Sequence, residues 1–378
     1  MKKLQMVDLN SQYLDIKEQI DNSIQQVIDQ TSFINGPQVQ SFKKNLADYL
    51  NVKHVIPCGN GTDALQISLM ALGLQPGDEV ITVDFTFAAT VEVIKLLGLT
   101  PVLIDVELDT FNLSVSALEK AITPKTKAIV PVHLFGQCAN MEAILSLAKK
   151  HNLFVVEDTA QALGADYIFA DGTTKKAGTI GTIGTTSFFP SKNLGCYGDG
   201  GAIFTNDDDL AHTLKGITNH GMYQKYYYDI VGVNSRLDSI QANILNIKLP
   251  YLDTYNKARQ QAADFYNNAF ATCPHIITPT TSIFSIHVFH QYTLRITNGK
   301  RDDLHEYLKE QNIPNAIYYP VPLHNQKAYQ QENVIEENYS NTNSLVEQVI
   351  SLPMHTALEK EQLELITKTI LNYINNTY

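Results

Sequence analysis

Lys192 lies in a segment whose other residues are mostly aromatic, small or glycine. Phe188 and Phe189 precede it, and Gly195 and Gly198 follow it. Apolar surroundings disfavour the charged form of an amine, so more of it is the neutral nucleophile that forms an imine with an aldehyde. Glycines at this density let the backbone approach a ligand closely. The segment suggests a lysine that holds a cofactor covalently, although an exposed lysine in a β-hairpin turn is the better interpretation of this segment alone.

A second candidate is Asp158, which follows the apolar run from Phe154 to Val156 after one residue, Glu157. Burying a carboxylate at the end of a strand is costly unless a cation meets it. A protonated pyridine nitrogen would be such a cation, and an Asp–pyridinium pair makes pyridoxal phosphate a good electron sink. At an isolated strand–helix junction, however, a helix cap would be the preferred interpretation.

A third candidate is the turn Gly59–Asp63, which separates a short apolar strand from a buried helical run. Free N–H groups and the helix dipole converge in such a turn, which suits a phosphate group. A helix cap by Asn60 or Thr62 explains the same turn equally well.

The order of these features is more specific than any one of them. A phosphate-type turn at Thr62, an aromatic ring at Phe87, an acid at Asp158 and an amine at Lys192 could together surround one pyridoxal ring.

Composition limits the class of protein. The 378 residues are 44% hydrophobic and 18% charged, with a formal net charge of -11, which is typical of a soluble globular protein and argues against a nucleic-acid partner. Four widely spaced cysteines without a C-x-x-C pair indicate neither a zinc site nor a disulfide framework. No apolar run has the length of a signal peptide core or a membrane span, so we expect a cytoplasmic protein without a membrane partner.

The elements that must position these residues alternate between strand and helix. Such alternation predicts an α/β fold with a mostly parallel sheet and ligands at the carboxyl ends of the strands. Residues 1–249 are predicted to form a large cofactor-binding domain and residues 250–378 a smaller α+β domain. The predicted strands are Glu79–Val83, Pro101–Ile104, Ala128–Pro131, Phe154–Val156 and Ala202–Thr205.

Three further segments have local predictions. The helical spacing from Tyr13 to Val27 predicts one amphipathic helix. The Asp-Gly turn within Ala165–Thr182 predicts a hairpin without a chemical role. The aromatic segment His220–Tyr228 lacks periodicity and is interpreted as a mobile loop at a subunit interface, with ordinary packing as the alternative.

The sequence blocks resemble those of the DegT/DnrJ/EryC1/StrS family of sugar aminotransferases. The resemblance covers nearly the whole chain and implies the aspartate-aminotransferase architecture, pyridoxal phosphate fold type I, in a homodimer with shared active sites. It rests on the blocks NGTDALQ, DFTFAAT, VEDTAQALGA, SFFPSKNLG, GDGGAIFTND and GVNSRLDSIQA, with FINGPQVQSF and YYPVPLH near the two ends.

The resemblance also implies roles for individual residues. Lys192 would form the imine with the cofactor and, once released, act as the general base, while Asp158 would pair with the pyridine nitrogen. Gln161 would contact the side of the ring that carries the hydroxyl, and Phe87 would stack on the ring. The residues implied at the phosphate are Thr62, Asp63, Ser187 and, from the partner subunit, Asn234.

The resemblance implies transamination, because relatives that instead remove a sugar hydroxyl have histidine at the position of Lys192. The expected reaction exchanges an amine between L-glutamate and the keto carbon of a nucleotide-linked sugar. The blocks most resemble members that aminate UDP-2-acetamido-2-deoxy-3-oxo-D-glucuronate for surface polysaccharide synthesis.

Residues at the predicted sugar site leave the substrate open. Arg236 could bind a uronate carboxylate, although a structural ion pair is the alternative. Tyr318 and Tyr319 stand where the uronate enzymes tend to have His-Tyr, which favours a dTDP-3-oxo-6-deoxyhexose or a 4-keto sugar as the second candidate. His324 is expected to face the site, although a histidine beside such a loop is more often structural.

Two other classes are disfavoured. A nicotinamide dehydrogenase would need a G-x-G-x-x-G turn, which Cys58–Asp63 does not supply. A catalytically silent, ligand-sensing relative would be expected to lack Lys192 or Asp158, and both are present.

Overall fold

The computed structural model describes residues 2–330 and 338–376. Its strands are mostly short, with five residues in each strand of the largest sheet. They are β1 His54–Cys58, β2 Glu79–Val83, β3 Thr100–Ile104, β4 Thr126–Val130, β5 Phe154–Asp158, β6 Asp166–Ile168, β7 Thr174–Lys176, β8 Ile183–Ser187, β9 Gly201–Thr205, β10 Met222–Gln224, β11 Tyr227–Tyr228, β12 Ile276–Ile277, β13 Ser285–Ile286, β14 Tyr292–Ile296 and β15 Val349–Leu352.

The helices fill the connections between strands and the two ends of the described chain. They are α1 Leu9–Asp15, α2 Lys17–Asp29, α3 Pro37–Leu50, α4 Gly61–Ala71, α5 Ala89–Leu96, α6 Val115–Ala121, α7 Met141–His151, α8 Asp208–Ile217, α9 Ser239–Lys248, α10 Leu252–Phe270, α11 Arg301–Glu310, α12 Ser340–Gln348 and α13 Lys360–Asn376. None of the helices in the described part of the chain is long and apolar enough to cross a membrane.

The large sheet has seven strands in the order β1-β9-β8-β5-β4-β2-β3. The five strands from β8 to β3 run parallel to one another, whereas β9 is antiparallel to both β1 and β8. The α/β prediction with a mostly parallel sheet is therefore confirmed. The predicted run Ala202–Thr205 is a strand, but it runs against its neighbours because the connection from β8 returns without a crossover helix.

Alternate residues of these strands face two different cores. Ile81, Val83 and Ile129 belong to the core on one face of the sheet, while Val80 and Val130 belong to the core on the other. Side chains of a strand alternate between the two faces, so a sheet covered on both faces needs apolar residues at nearly every position. This requirement explains the continuous apolar runs that made these strands recognisable in the sequence.

A separate core lies in the later part of the chain. The antiparallel sheet β12-β14-β15 packs against α10, α11 and α13, and Tyr266, Tyr292 and Ile350 are fully buried in it. This second core supports the predicted division near residue 249, which stays a prediction. The strand β14 and the helix α11 both contribute to this core.

The first predicted helix is two helices. Asp8 caps α1 by accepting from the backbone N–H of Ser11, and α1 ends at Asp15, because the φ of −124° and ψ of 17° of the next residue, Ile16, are not helical. Ile16 is buried against Ile20 and Ile244. Two consecutive helices and one continuous helix have the same spacing of apolar residues, so the break could not be predicted from that spacing.

Both remaining local segments contain hairpins. β6 and β7 form the hairpin that was predicted, and β13 extends it into a three-stranded sheet. Within His220–Tyr228 the interpretation as a loop was wrong, because β10 pairs with β11. The tip of this hairpin is exposed at Tyr226 and Tyr227.

Candidate active site

The N-terminus of α4 lies at the carboxyl end of β1. Asn60 caps it, because its side-chain oxygen accepts from the backbone N–H of Asp63 at 2.8 Å. The N–H groups of Gly61 and Thr62 have no acceptor within the helix, since the first turn of any helix lacks one. The cap and the phosphate turn, which the sequence left as alternatives, are therefore compatible.

Two glycines bring three segments together at this helix end. A Cβ atom on Gly61 would lie 2.7 Å from the Cβ of Ser187, at the end of β8. A Cβ atom on Gly201 would lie 2.3 Å from the carbonyl oxygen of Asn60. Since no such contact is tolerated, only glycine at both positions lets Ser187 lie beside the first turn of α4.

Asp63 has partners within the protein. Its carboxylate accepts from the hydroxyl of Ser235 at 2.6 Å, and the same hydroxyl accepts from the backbone N–H of Gly59 at 2.8 Å. With its N–H bound by Asn60, this residue orders the turn around the helix end. A phosphate contact through its carboxylate would also be disfavoured by like charge.

Asp158 is the last residue of β5, and its side chain is buried. The hydroxyl of Thr90 donates to one carboxylate oxygen at 3.0 Å, and the backbone N–H of Ala160 donates to the other at 3.1 Å. Thr90 belongs to α5, which follows β2. The carboxylate is therefore held in one orientation by the first turn of α5 and by the segment that follows β5.

Lys192 lies in the loop after β8, and its backbone N–H donates to the carbonyl of Phe189 at 2.8 Å. The buried amine of Lys248 donates to the carbonyl of Gly195 at 2.5 Å and so fixes the far side of this loop. Burial lowers the pKa of Lys192 to about 8, and the negative charge of Asp158 opposes part of that change. A substantial fraction of the amine is therefore neutral near pH 8.

Gln161 connects the strand end to the C-terminal segment. Its side-chain oxygen accepts from the backbone N–H of Phe135 at 2.8 Å, and its side-chain nitrogen donates to the hydroxyl of Tyr319 at 3.1 Å. Burial, the largest cause, raises the pKa of Tyr319, and the charge of Asp158 adds to it. Phe87 has 58% of its side chain exposed and lies 6.5 Å from the Tyr319 ring, so it is available to a ligand ring.

The other predicted sugar residues are placed less centrally. Tyr318 is half-buried, and its ring centroid lies 6.1 Å from that of Tyr319. Arg236 is half-buried, two residues after the exposed Asn234, and its backbone N lies 3.9 Å from a Cβ built on Gly59. The backbone of Arg236 is thus near the turn Gly59–Asp63.

His324 contacts the protein rather than an open site. Its Nδ1 and the carboxylate of Asp84 are 2.6 Å apart, and its backbone N–H donates to the same carboxylate at 2.8 Å. Its ring stacks on Tyr339 with centroids 4.4 Å apart. The expectation that His324 faces the substrate finds no support in these contacts.

A second buried histidine also has a structural partner. His133 accepts from the N–H of Ala139 at Nδ1, and its Nε2 lies 2.9 Å from the carboxylate of Glu157. Glu157 also accepts from the backbone N–H groups of Gly178 and Ile180. These contacts satisfy a buried charge one residue before Asp158 and so support the orientation of that strand end.

Sequence reasoning missed three residues near this site. Thr90 stands in a quoted block, three residues after Phe87, but received no role. Asp84 directly follows β2, and Asp158 is the last residue of β5, so the strand-end position of Asp84 was a usable signal. The third residue, His290, had no signal in the sequence. Burial and then the charge of Lys192 hold its pKa well below the usual range, and its Nδ1 has no partner among the described residues.

These groups suit pyridoxal phosphate. A capped helix end offers N–H donors to a phosphate. The lysine has a lowered pKa, and an oriented carboxylate acts electrostatically on it. An exposed ring at Phe87 can cover one face of a bound ring. Amine, acid and phosphate donors thus occur together at the carboxyl edge of one parallel sheet, where ligands of such folds bind.

Comparisons with known proteins agree with this chemistry. A model of the DegT/DnrJ/EryC1/StrS aminotransferase family matches residues 14–371. Over 369 residues the chain is 44% identical to the UDP-2-acetamido-2-deoxy-3-oxo-D-glucuronate aminotransferase of Pseudomonas aeruginosa, covering 98% of this chain and 100% of that one. It is also 44% identical over 370 residues to a pleiotropic regulatory protein of Geobacillus stearothermophilus, covering 97% of this chain and 98% of that one.

A solved structure supports the same fold and cofactor. NtdA from Bacillus subtilis, with bound cofactor PMP, matches with a TM-score of 0.90 at 31% identity, covering 99% of this chain and 86% of that chain. The chain therefore belongs to the DegT/DnrJ/EryC1/StrS aminotransferase family and is a pyridoxal-phosphate-dependent aminotransferase of the predicted α/β fold type I.

Proposed function

We propose that this enzyme transfers an amine from L-glutamate to the keto carbon of a nucleotide-linked sugar, with UDP-2-acetamido-2-deoxy-3-oxo-D-glucuronate as the favoured acceptor. The observation that supports this acceptor is the 44% identity over the full length of the P. aeruginosa relative, which is named for that sugar. The product would be a 3-amino sugar nucleotide, the kind of building block used in surface polysaccharides.

Pyridoxal phosphate, when bound, supplies the electron sink that stabilises negative charge on the reacting carbon. Lys192 is the residue of this chain that would attach it and, once released, move a proton between the carbon atoms on either side of the transferred nitrogen. Its lowered pKa suits both tasks, because a neutral amine is needed to form an imine and to accept a proton. Asp158, held by Thr90, would keep a positive charge on the pyridine nitrogen.

The phosphate would bind at the N-terminus of α4, through the N–H groups of Gly61 and Thr62 and the hydroxyl of Ser187. Asp63 would act by ordering this turn through Ser235 rather than by direct contact. Gln161 would contact the hydroxyl side of the ring and Phe87 would cover its face. These roles rest on the placement of the residues at one edge of the sheet.

A second copy of the chain would complete the site. The β10–β11 hairpin exposes an aromatic surface, with 73% of Tyr226, 62% of Tyr227 and 63% of Tyr228 exposed, close in sequence to Val231 at 86%. Exposed apolar surface of this kind marks interaction sites. Asn234 follows it and is itself exposed, as a residue that reaches the phosphate of a partner subunit would be.

The sugar site also contains an argument for a second acceptor. Tyr319 packs against Phe85 with ring centroids 6.0 Å apart and lies near Phe87. These three aromatic side chains offer no positive charge to a sugar carboxylate, which favours a dTDP-3-oxo-6-deoxyhexose as the acceptor. Arg236 is the residue that would bind the carboxylate of a uronate instead, by the bidentate geometry that guanidinium allows.

The experiment follows the cofactor spectrum of the purified enzyme, first with L-glutamate and then with a panel of nucleotide keto-sugars. Return of the original spectrum with the UDP-linked 3-keto-uronate alone supports the favoured acceptor, whereas return only with the 6-deoxy-3-keto sugar supports the second. An Arg236→Lys variant keeps the charge but loses the planar fork, so KM for the uronate should rise about 10-fold while that for an uncharged sugar stays unchanged. If no acceptor restores the spectrum, the proposed reaction is wrong.

A further inference from the structure

The segment Ile317–Asn325 carries the two tyrosines of the proposed sugar site and crosses from the second core to the large sheet. Its start is fixed on β15, because Ala316 and Ser351 exchange backbone hydrogen bonds at 3.1 and 2.7 Å. Its middle is fixed by the Tyr319 hydroxyl on Gln161. What holds its end decides how close the tyrosines stay to the cofactor ring.

That end is held by a single residue, Asp84, whose backbone carbonyl takes one contact and whose carboxylate takes two. The backbone N–H of Leu323 donates to the carbonyl of Asp84 at 3.2 Å, and the backbone N–H of His324 donates to its carboxylate at 2.8 Å. The His324 Nδ1 then lies 2.6 Å from the other carboxylate oxygen. Asp84 is fully buried directly after β2, so these contacts fix the segment against the sheet itself.

The electrostatics of Asp84 make the histidine necessary. Burial, the largest cause, raises the pKa of this carboxyl group, and the hydrogen bond and charge of His324 oppose that shift. Asp105, which follows β3, is the other charged group that acts on it, and it has the same sign. A fully buried carboxylate that loses its charge-assisted partner is strongly disfavoured. His324 is therefore the group that lets Asp84 hold the segment.

The position of the ring excludes a direct contact role through Nδ1. That nitrogen is occupied by Asp84, and one face of the ring is covered by Tyr339 at 4.4 Å. Leu323 and Tyr339 also share a small apolar cluster with Val91 and Leu103, beneath the end of the segment.

We propose that His324 and Asp84 form a clamp that positions Tyr318 and Tyr319 for the sugar, so that His324 acts on substrate affinity as a positioning residue and not as a ligand. This inference rests on the proposed sugar-aminotransferase function. It concerns the acceptor, because the clamp holds the sugar segment and touches none of the groups assigned to the cofactor phosphate or to the reacting lysine.

Two substitutions of His324 differ in whether the new side chain can reach Asp84. The side-chain nitrogen of asparagine occupies about the position of the imidazole Nδ1, whereas that of glutamine occupies about the position of Nε2. His324→Asn should therefore keep the bond to Asp84, and His324→Gln should lose it. His324→Ala is a second loss variant that keeps the backbone contact to Asp84, so it serves if the glutamine variant does not fold.

The position of the segment can be measured directly, because the chain contains no tryptophan. Val321 lies in the segment with 40% of its side chain exposed, so Val321→Trp gives a single fluorescent reporter. Acrylamide quenching of this tryptophan, measured in the holoenzyme and in the cofactor-free protein, reports how tightly the segment is held. Thr342→Val is the matched control, since it removes a hydroxyl contact at 2.8 Å from the neighbouring buried carboxylate Asp105 and leaves the clamp intact.

The clamp predicts that quenching rises in the Gln and Ala variants and stays at the parent value in the Asn and Thr342→Val variants. KM for the accepted keto-sugar should rise about 10-fold to 100-fold in the same two variants, while the glutamate half-reaction and the cofactor spectrum stay unchanged. The proposal is overturned if the Gln and Ala variants behave as the parent. It is equally overturned if Asn, Gln and Ala all raise KM while the reporter does not move, because His324 would then contact the sugar.

The quenching measurement separates this proposal from the function on which it rests. If the wild-type enzyme accepts no keto-sugar, the proposed function fails, yet quenching still tests whether His324 holds the segment. If the enzyme accepts a keto-sugar and quenching is the same in all variants, the clamp fails and the function stands.

Discussion

The side-chain amide of Gln161 donates a hydrogen bond to the hydroxyl of Tyr319 across 3.1 Å, although 158 residues separate them. The same amide accepts from the backbone N–H of Phe135, so it is held from the side opposite the tyrosine. This pair joins the strand end that carries Asp158 to the segment that carries the proposed sugar residues. A substitution of either residue is therefore expected to alter the position of the other.

The Tyr319→Phe substitution tests this connection. It leaves the buried nitrogen of Gln161 without its acceptor, which costs about 1–3 kcal/mol of unfolding free energy. Chemical denaturation should show this loss. Tyr318→Phe is the matched control, since no hydrogen bond joins its hydroxyl to the described part of the chain, and equal losses for the two variants would contradict the assignment.

Lys192→Ala should abolish the absorbance of the lysine-bound cofactor and lower turnover by at least about 10²-fold to 10⁴-fold, because it removes both the attachment and the proton-transfer group. Circular dichroism should show an unchanged fold. The exposed Lys175→Ala variant is the control and should behave as wild type. Wild-type turnover by Lys192→Ala would refute the assignment.

The pH dependence of Lys192 gives a separate prediction. Burial lowers the pKa of its amine to about 8, and the charge of Asp158 raises it against that effect. In the cofactor-free protein, labelling of Lys192 by an amine reagent should therefore increase as the pH rises through about 8. Asp158→Asn removes the charge that stabilises the ammonium form, so the midpoint should move to lower pH. A midpoint that stays in place or rises would show that the two groups do not interact.

Gly201→Ala tests the packing of the phosphate turn. Its Cβ would lie 2.3 Å from the carbonyl oxygen of Asn60, so the cap of α4 must move. We expect weaker binding of pyridoxal phosphate, measured by titration of the cofactor-free protein. Gly198→Ala is the control, because the nearest atom to its Cβ is the end of the flexible Gln241 side chain at 3.1 Å. Equal affinity in all three proteins would show that this approach does not shape the turn.

The strands and the position of Asp158 at a strand end could be predicted because their signals are local. A parallel strand covered on both faces reads as a continuous apolar run, and Asp158 stands at the end of the strand that contains such a run. The neighbours of Lys192 alone favoured an exposed turn, and its predicted role depended on its order with Thr62, Phe87 and Asp158 and on the family resemblance. The direction of β9 was not predictable in this way, because a strand of the same composition can pair in either direction.

The partners of polar side chains were harder to predict. Asp63 is predicted to hold the phosphate, and no pattern in the sequence indicated that its carboxylate accepts from Ser235, which lies 172 residues later in the chain. His324 was expected to face the sugar, and in the structure its Nδ1 contacts the carboxylate of Asp84, which lies 240 residues earlier in the chain. A residue type and a loop position indicate what a side chain can bind, and they do not indicate which of several distant groups reaches it first.

The sequence by itself determined the class of protein and the alternation of strands and helices, because these depend on residues close together in the chain, and it predicted a lysine, an acid and a turn as the residues that hold the cofactor. Only the tertiary structure decided which groups are free to act. It pairs Gln161 with Tyr319 and Asp84 with His324, since packing of the second core against the sheet brings distant segments into hydrogen-bonding distance. Those contacts depend on the relative placement of whole elements, which no local pattern encodes.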